Sequence, residues 1–173
     1  GAIHGGLYKE DRGSLALHVF RGPIVVRGCR LHRLPCACPE VLRVKTGIGK
    51  VFSALVSQHL IDTYLPSALL FTGVAGALNP GYHIGDVVIS RACMQPDVDG
   101  RALGFARGNL LYTDLKIFTA DPALLASALT ARTDGHKIHA GRILTGDQFM
   151  TRGEINQHRY LLDEMNGDAV EME

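Results

Sequence analysis

Four stretches of this sequence could do chemistry: three glycine turns and an acidic end. TGIGK (46–50), TGVAGALNPG (72–81) and TGDQFM (145–150) each follow an apolar run of strand length. Glycine lets backbone N–H groups approach a ligand closely. In open α/β sheets, ligands bind beyond the carboxyl ends of strands, where such turns lie. A single Thr-Gly is ordinarily a tight turn and no more, but three at successive strand ends form a candidate binding surface. The last six residues, Asp168-Ala169-Val170-Glu171-Met172-Glu173, set two carboxylates around a methionine. Taken alone, Glu173 reads as a solvated charge, and Phe149 and Met172 read as core residues.

Familiar motifs fail on inspection. GIGK is not a phosphate loop, because Val44 and Val51 stand where that motif needs a glycine and a Ser or Thr. Phe52 prevents it from completing G-x-G-x-x-G. DVDG (97–100) has neither the third acidic position nor the closing Glu of a calcium loop. Cys36-Ala-Cys38 has the wrong spacing for a zinc knuckle. His32 could join that pair, but no second pair follows, so Cys29, Cys36, Cys38 and Cys93 are expected to be ordinary reduced thiols, with no metal bound. The eight histidines are scattered, and residue order assigns none of them to a nucleophile.

The elements that must position these stretches read as α/β. The 173 residues and 18.7 kDa suit one domain with a core of its own. The composition is 46% hydrophobic and 20% charged, as in ordinary globular proteins. A net charge of +1 without a Lys/Arg block argues against nucleic acid or a membrane surface as partner. The longest apolar runs fall well short of the roughly 20 residues that span a bilayer. No basic segment followed by an apolar stretch opens the sequence, which suggests a cytoplasmic protein.

Residues 1–14 read as loop. LALHVF (15–20) and PIVVRGCRLHRL (23–34) suggest a hairpin, and EVLRVKTG (40–47) a further strand. Lys50–Tyr64 has helical periodicity, with Val51, Ala54, Leu55, Gln58 and Ile61 on one face and Pro66 beyond its end. SALLFTG (67–73) and DVVIS (86–90) read as strands buried on both faces. Asp121-Pro122 opens a helix to about residue 132, since Asp caps and Pro suits the first position. KIHAGRILTG (137–146) is expected to be a strand, GEINQHRYLLDEM (153–165) a helix and DAVEM a last strand. Two-sided strands alternating with helices predict a mixed, mostly parallel sheet.

Read in series, KTGIGKV, FTGVAGALNPGYHIGDVVIS, GRILTGDQF and DAVEME resemble one family. It is the methylthioadenosine/S-adenosylhomocysteine nucleosidases, of the purine nucleoside phosphorylase-like superfamily. The match runs over residues 28–173, and DVDGRALGFARG (97–108) resembles a further family segment. The resemblance implies a three-layer α/β/α fold, a homodimer, and hydrolysis of the N-glycosidic bond of an adenosine derivative without a cofactor.

It also implies roles for particular residues. Phe149 would stack on adenine, and Met150 would read the edge of the base through its backbone. Glu173 would accept hydrogen bonds from the ribose 2′- and 3′-hydroxyls, with Met172 packed against the sugar. Ile48 would line the alkylthio end, and Val74, Ala75 and Gly76 would complete the pocket, with Val74 where many relatives carry Ser. Period-2 alternation would then put Glu171 on the side of Glu173, unless the strand ends between them. The superfamily's phosphorylases often carry an Arg before the glycine turn. Here LLFTG offers Phe71 and Thr72, which favours water as nucleophile.

Two family features do not match. The resemblance implies an acidic cluster after a G-A-M-like turn, one Glu of which activates the water. Here His4-Gly5-Gly6 follows Gly1-Ala2-Ile3, and the nearest carboxylates are Glu10 and Asp11. The family's proton-donating Asp lies some 20 residues beyond E-M-E, past Glu173. The expectation is therefore one nucleosidase-like domain over 1–173, truncated at its C-terminal side and possibly at its N-terminal side.

Overall fold

The computed structural model describes residues 22–27 and 40–173, with side chains from residue 44 onward. The LALHVF run, the hairpin expected from it, and Cys29, His32, Cys36 and Cys38 lie outside the described residues. The described residues form two compact units, a larger one over Val74–Met172 and a smaller one that runs to Gly73 and with which Glu173 groups.

In the smaller unit, β1 (Gly22–Arg27) is the middle strand of a three-stranded antiparallel sheet. β2 (Glu40–Arg43) flanks it on one side and β3 (Ala68–Thr72) on the other. α1 (Lys50–Tyr64) starts from the Gly47-Ile48-Gly49 turn and lies beside β1. Gly47 and Gly49 have φ of 96° and 106°, a region that side chains avoid, so this entry into the helix needs glycine. α1 stops at left-handed Leu65 (φ 45°), directly before Pro66, which cannot continue a helix.

The helical period of α1 is as expected, but its phase differs. Val51, Ala54, Leu55, Gln58 and Ile61 are all exposed. The inner face instead carries buried Ser53 and Leu60, with Val56, Ser57 and Tyr64 half-buried. Apolar residues occur on both sides of this helix, so periodicity alone had no means of choosing between them. β3 is likewise half-buried rather than enclosed on both faces, with Phe71 45% exposed.

The larger unit holds a five-stranded mixed sheet. Its strands are β4 (Gly76–Ala77), β5 (Val87–Met94), β6 (Phe118–Thr119), β7 (Ile138–Thr145) and β8 (Ala169–Glu171). They lie in the order β4-β8-β7-β5-β6. The central pairs β5·β7 and β7·β8 are parallel, and the edge pairs β4·β8 and β5·β6 are antiparallel. β5 runs four residues past the expected DVVIS and carries a register irregularity between Ser90 and Ala92.

α2 (Pro122–Leu129) begins as expected: the Asp121 carboxylate accepts from the Ala123 and Leu124 amides, both at 2.9 Å. It ends three residues short of Arg132, where the Thr130 hydroxyl donates to the Ser127 carbonyl at 2.7 Å. The helix expected over 153–165 is two helices, α3 (Arg152–Gln157) and α4 (Tyr160–Asp163). The break falls at His158, whose ψ has swung to 50°, while the Glu154 carbonyl still accepts the His158 amide at 2.9 Å and lies 2.8 Å from the ring Nδ1.

One face of the sheet packs on α3 and α4 through Leu78, Met94, Leu144, Leu161, Met165 and Val170. Gly167 is required in this packing, because a Cβ there would sit 2.5 Å from Leu144 Cδ1 and 2.7 Å from Leu78 Cδ1. Asp168 ties the sheet together. Its carboxylate accepts from the Arg142 amide (2.8 Å) and from Asn79 Nδ2 (3.1 Å), and its carbonyl accepts from the Leu78 amide (3.0 Å). Among the described residues, no helix is long and apolar enough to cross a membrane.

At the opposite, amino-terminal ends of β5 and β7, buried Asp86 accepts from the His83 amide (3.0 Å), the Lys137 amide (3.1 Å) and His139 Nε2 (3.0 Å). These bonds, that from the His83 amide foremost, hold its carboxyl well below the usual carboxylate range. The folded pKa lies under the unfolded value of about 3.9, so the stabilisation is complete above that value and is lost as pH falls through the lowered one. Asp86→Asn should therefore unfold at lower urea than wild type at about pH 7, and the gap should narrow as pH is taken from about 4 towards about 2. Urea midpoints measured across this range check it, and a gap independent of pH contradicts it.

Candidate active site

Because β5, β7 and β8 are parallel, their carboxyl ends open on the same side of the sheet. From them leave Gln95-Pro96-Asp97, Gly146-Asp147-Gln148 and Met172-Glu173. A shallow pocket of about 190 Å³ lies at this edge, lined by Pro96, Asp97, Gly146, Gln148, Met150 and Val170 among others. This is where the glycine-turn argument expects a ligand.

The turn after β7 is held at both ends. The Gly146 amide donates to the Glu171 carbonyl at 3.0 Å. The Thr145 hydroxyl donates to the Glu171 carboxylate, so that side chain is turned back onto β7. At the far end, Thr151 and Glu154 form a capping box, with the Thr151 amide donating to Glu154 Oε2 at 2.7 Å. That bond is the largest cause holding the Glu154 carboxyl below its usual range. Between the anchors, the Phe149 ring is 68% exposed, while Met150 is half-buried against the core. β4 runs alongside β8 with Gly76 opposite Val170. A methyl group added at Gly76 would stand 3.5 Å from Val170 Cγ1 and 3.9 Å from the Met150 carbonyl oxygen, so these three backbone stretches are neighbours.

The residues singled out in the sequence fall as follows. Gly76 and Met150 are brought together beside β8, with Phe149 next in chain to Met150 and Val74 and Ala75 leading into β4. Ala75 is buried and Val74 largely exposed. Met172 and Glu173, both half-exposed, follow the end of β8. That strand ends at Glu171, between the two carboxylates, so alternation does not tie Glu173 to the side of Glu171. Ile48 lies at the tip of the glycine turn in the smaller unit, 56% exposed.

The structure adds residues that sequence reading passed over. Asp97 Oδ2 accepts from the Asp147 amide at 2.8 Å and lines the pocket beside it. Asp99, its neighbour in the rejected calcium motif, pairs with Arg101 through two bonds of 2.8 and 2.7 Å. Arg107 lies 4.0 Å above the Tyr160 ring and 3.3 Å from Asp99, a cation held on an aromatic face. Only the resemblance of residues 97–108 to a family segment pointed to this loop. Cys93 is a free thiol, 3.2 Å from the Ser90 hydroxyl, and burial pushes its pKa up. No three His, Cys, Asp or Glu side chains among the described residues are grouped to hold a metal ion.

The model of the phosphorylase superfamily matches residues 17–173, and the chain belongs to that superfamily. Within it, the likeness is to the methylthioadenosine/S-adenosylhomocysteine nucleosidases, the family recognised from the motifs. The chain is 37% identical over 128 residues to the 5′-methylthioadenosine/S-adenosylhomocysteine nucleosidase of Geobacillus kaustophilus, covering 73% of this chain and 54% of that protein. It is 37% identical over 139 residues to the aminodeoxyfutalosine nucleosidase of Campylobacter jejuni, covering 78% of this chain and 58% of that one. Thus it spans little more than half the length of either relative. The crystal structure of the Neisseria meningitidis 5′-methylthioadenosine/S-adenosylhomocysteine nucleosidase in complex with methylthio-immucillin-A superposes with a TM-score of 0.65. That pair is 30% identical, over 78% of this chain and 58% of the other. The expected mixed α/β fold is borne out by both the sheet and this likeness.

Proposed function

We propose that the protein hydrolyses the N-glycosidic bond of 5′-methylthioadenosine, S-adenosylhomocysteine or a related adenosine derivative and releases adenine. The observation that carries this reading is the shared edge of β5, β7 and β8. There the Gly146–Met150 turn and the backbone of Gly76 meet beside the strand that leads into Met172 and Glu173. Phe149, exposed and unpacked, offers its face to a purine, and Met150 offers backbone groups to the edge of the base. Ala75 and Val74 extend this wall.

As the bond to the base breaks, positive charge develops on the ribose. Glu173 answers it twice, accepting bonds from the 2′- and 3′-hydroxyls and lowering the energy of the cation by its own charge. Met172 fills the irregular space against the sugar with a pliable thioether. The likeness to an aminodeoxyfutalosine nucleosidase supports a tolerant 5′ end. A cytoplasmic homodimer that works without a cofactor is what the family resemblance of the motifs implies, and it belongs to this proposal.

Adenine release in a coupled assay, run with and without phosphate, tests this. Release from a 5′-thioadenosine in phosphate-free buffer is the expected result. Release that depends on phosphate would make the protein a phosphorylase, and binding without release would make it a nucleoside-binding relative.

A further inference from the structure

The turn that presents Phe149 and Met150 carries an exposed aromatic ring and so is not held by its own side-chain packing. Its place is set by backbone anchors, and one of these comes from another strand end: the Asp147 amide donates to Asp97 Oδ2 at 2.8 Å. We propose that Asp97 is a positioning residue for the base-binding turn, setting the distance between Phe149 and Met150 and the adenine they hold. The inference rests on the adenine-binding reading above and names a residue on which that site depends.

Asp97 is well placed to act as a fixed point. It follows Pro96, whose side chain is fully buried, so its backbone leaves β5 in a single direction. The loop it opens is closed by the Gly108 amide donating to the Val98 carbonyl at 2.7 Å. That loop is pinned to α4 by Arg107, which sits 4.0 Å over Tyr160 and 3.8 Å from Glu164. An ionised acceptor binds an amide about twice as strongly as a neutral one. The bond is exposed to water, so it adds little to global stability. What it supplies is geometry, to which a binding site is far more sensitive than a fold is.

The test compares wild type, Asp97→Ala and Asp97→Asn in the purified protein. Four quantities are read: KM and kcat for 5′-methylthioadenosine, Kd for adenine by calorimetry, and Tm. Asp97→Ala should raise KM and weaken adenine binding by about ten-fold, which is about 1.4 kcal/mol, with kcat changed less than about two-fold and Tm nearly constant. Asp97→Asn keeps an acceptor oxygen and should recover to within about three-fold of wild type. Unchanged KM and adenine affinity in Asp97→Ala would overturn the proposal. So would an Asn variant as impaired as the Ala variant, or a loss confined to kcat. If wild type itself neither binds adenine nor cleaves the nucleoside, the parent reading fails and this inference fails with it. An active wild type matched in full by Asp97→Ala sinks this inference alone.

Discussion

Replacing Glu173 by Gln should lower kcat/KM for 5′-methylthioadenosine by about 10²–10³-fold, the scale of losing one charge-stabilising group in an active site. Two properties of the side chain change. Gln keeps the size of Glu but loses the charge that favours a developing ribosyl cation. It also turns one of two acceptor oxygens into a donor, so the two ribose hydroxyls no longer each find an ionised acceptor there. The fold should not notice, since Glu173 is half-exposed and lies beyond the end of β8. A 2′-deoxy substrate gives the decisive comparison. It should cost wild type much more than it costs Glu173→Gln, because the variant has already lost the partner of that hydroxyl. Equal losses in both, or a variant within about three-fold of wild type, would remove Glu173 from the site.

The largest effect on stability is expected at Leu144. Leu144 is fully buried in β7, in register with Met94 on β5 and Val170 on β8. It also packs against Gly167, where no Cβ fits. Neighbours on both flanking strands cannot collapse into the space left by truncation without breaking a parallel ladder. Leu144→Ala should therefore cost about 3–5 kcal/mol, near the top of the range for buried leucines. In a domain of this size that corresponds to a Tm lower by about 6–20 °C in calorimetry. Leu55→Ala provides the contrast. Leu55 belongs to the apolar face expected of α1 but is 64% exposed, so the change should stay within about 0.5 kcal/mol. If the two variants melt alike, the packing described here is wrong.

Locally determined features were legible in the sequence. Asp121-Pro122 starts α2 because capping needs only a side chain two or three residues from the amides it meets. The glycines at 47 and 49 mark the entry to α1 because their φ values exclude side chains. The serial motifs identified the superfamily and the fold class. The phase of α1 was not legible, since apolar residues occupy both of its faces and only the neighbouring sheet decides which is covered. Nor was the break at His158, where the backbone leaves the helical region with ψ at 50° although no Gly or Pro marks the place. Asp97 stayed hidden for a related reason: its partner is the amide of Asp147, fifty residues away, and a backbone amide carries no sequence signature. By itself, then, the sequence determined which residue types stand in the glycine turns and at the end of the last strand, because residue type and local backbone strain are properties of short segments. The tertiary structure alone decided what holds them in place, because the parallel pairing of β5, β7 and β8 brings distant segments to one edge.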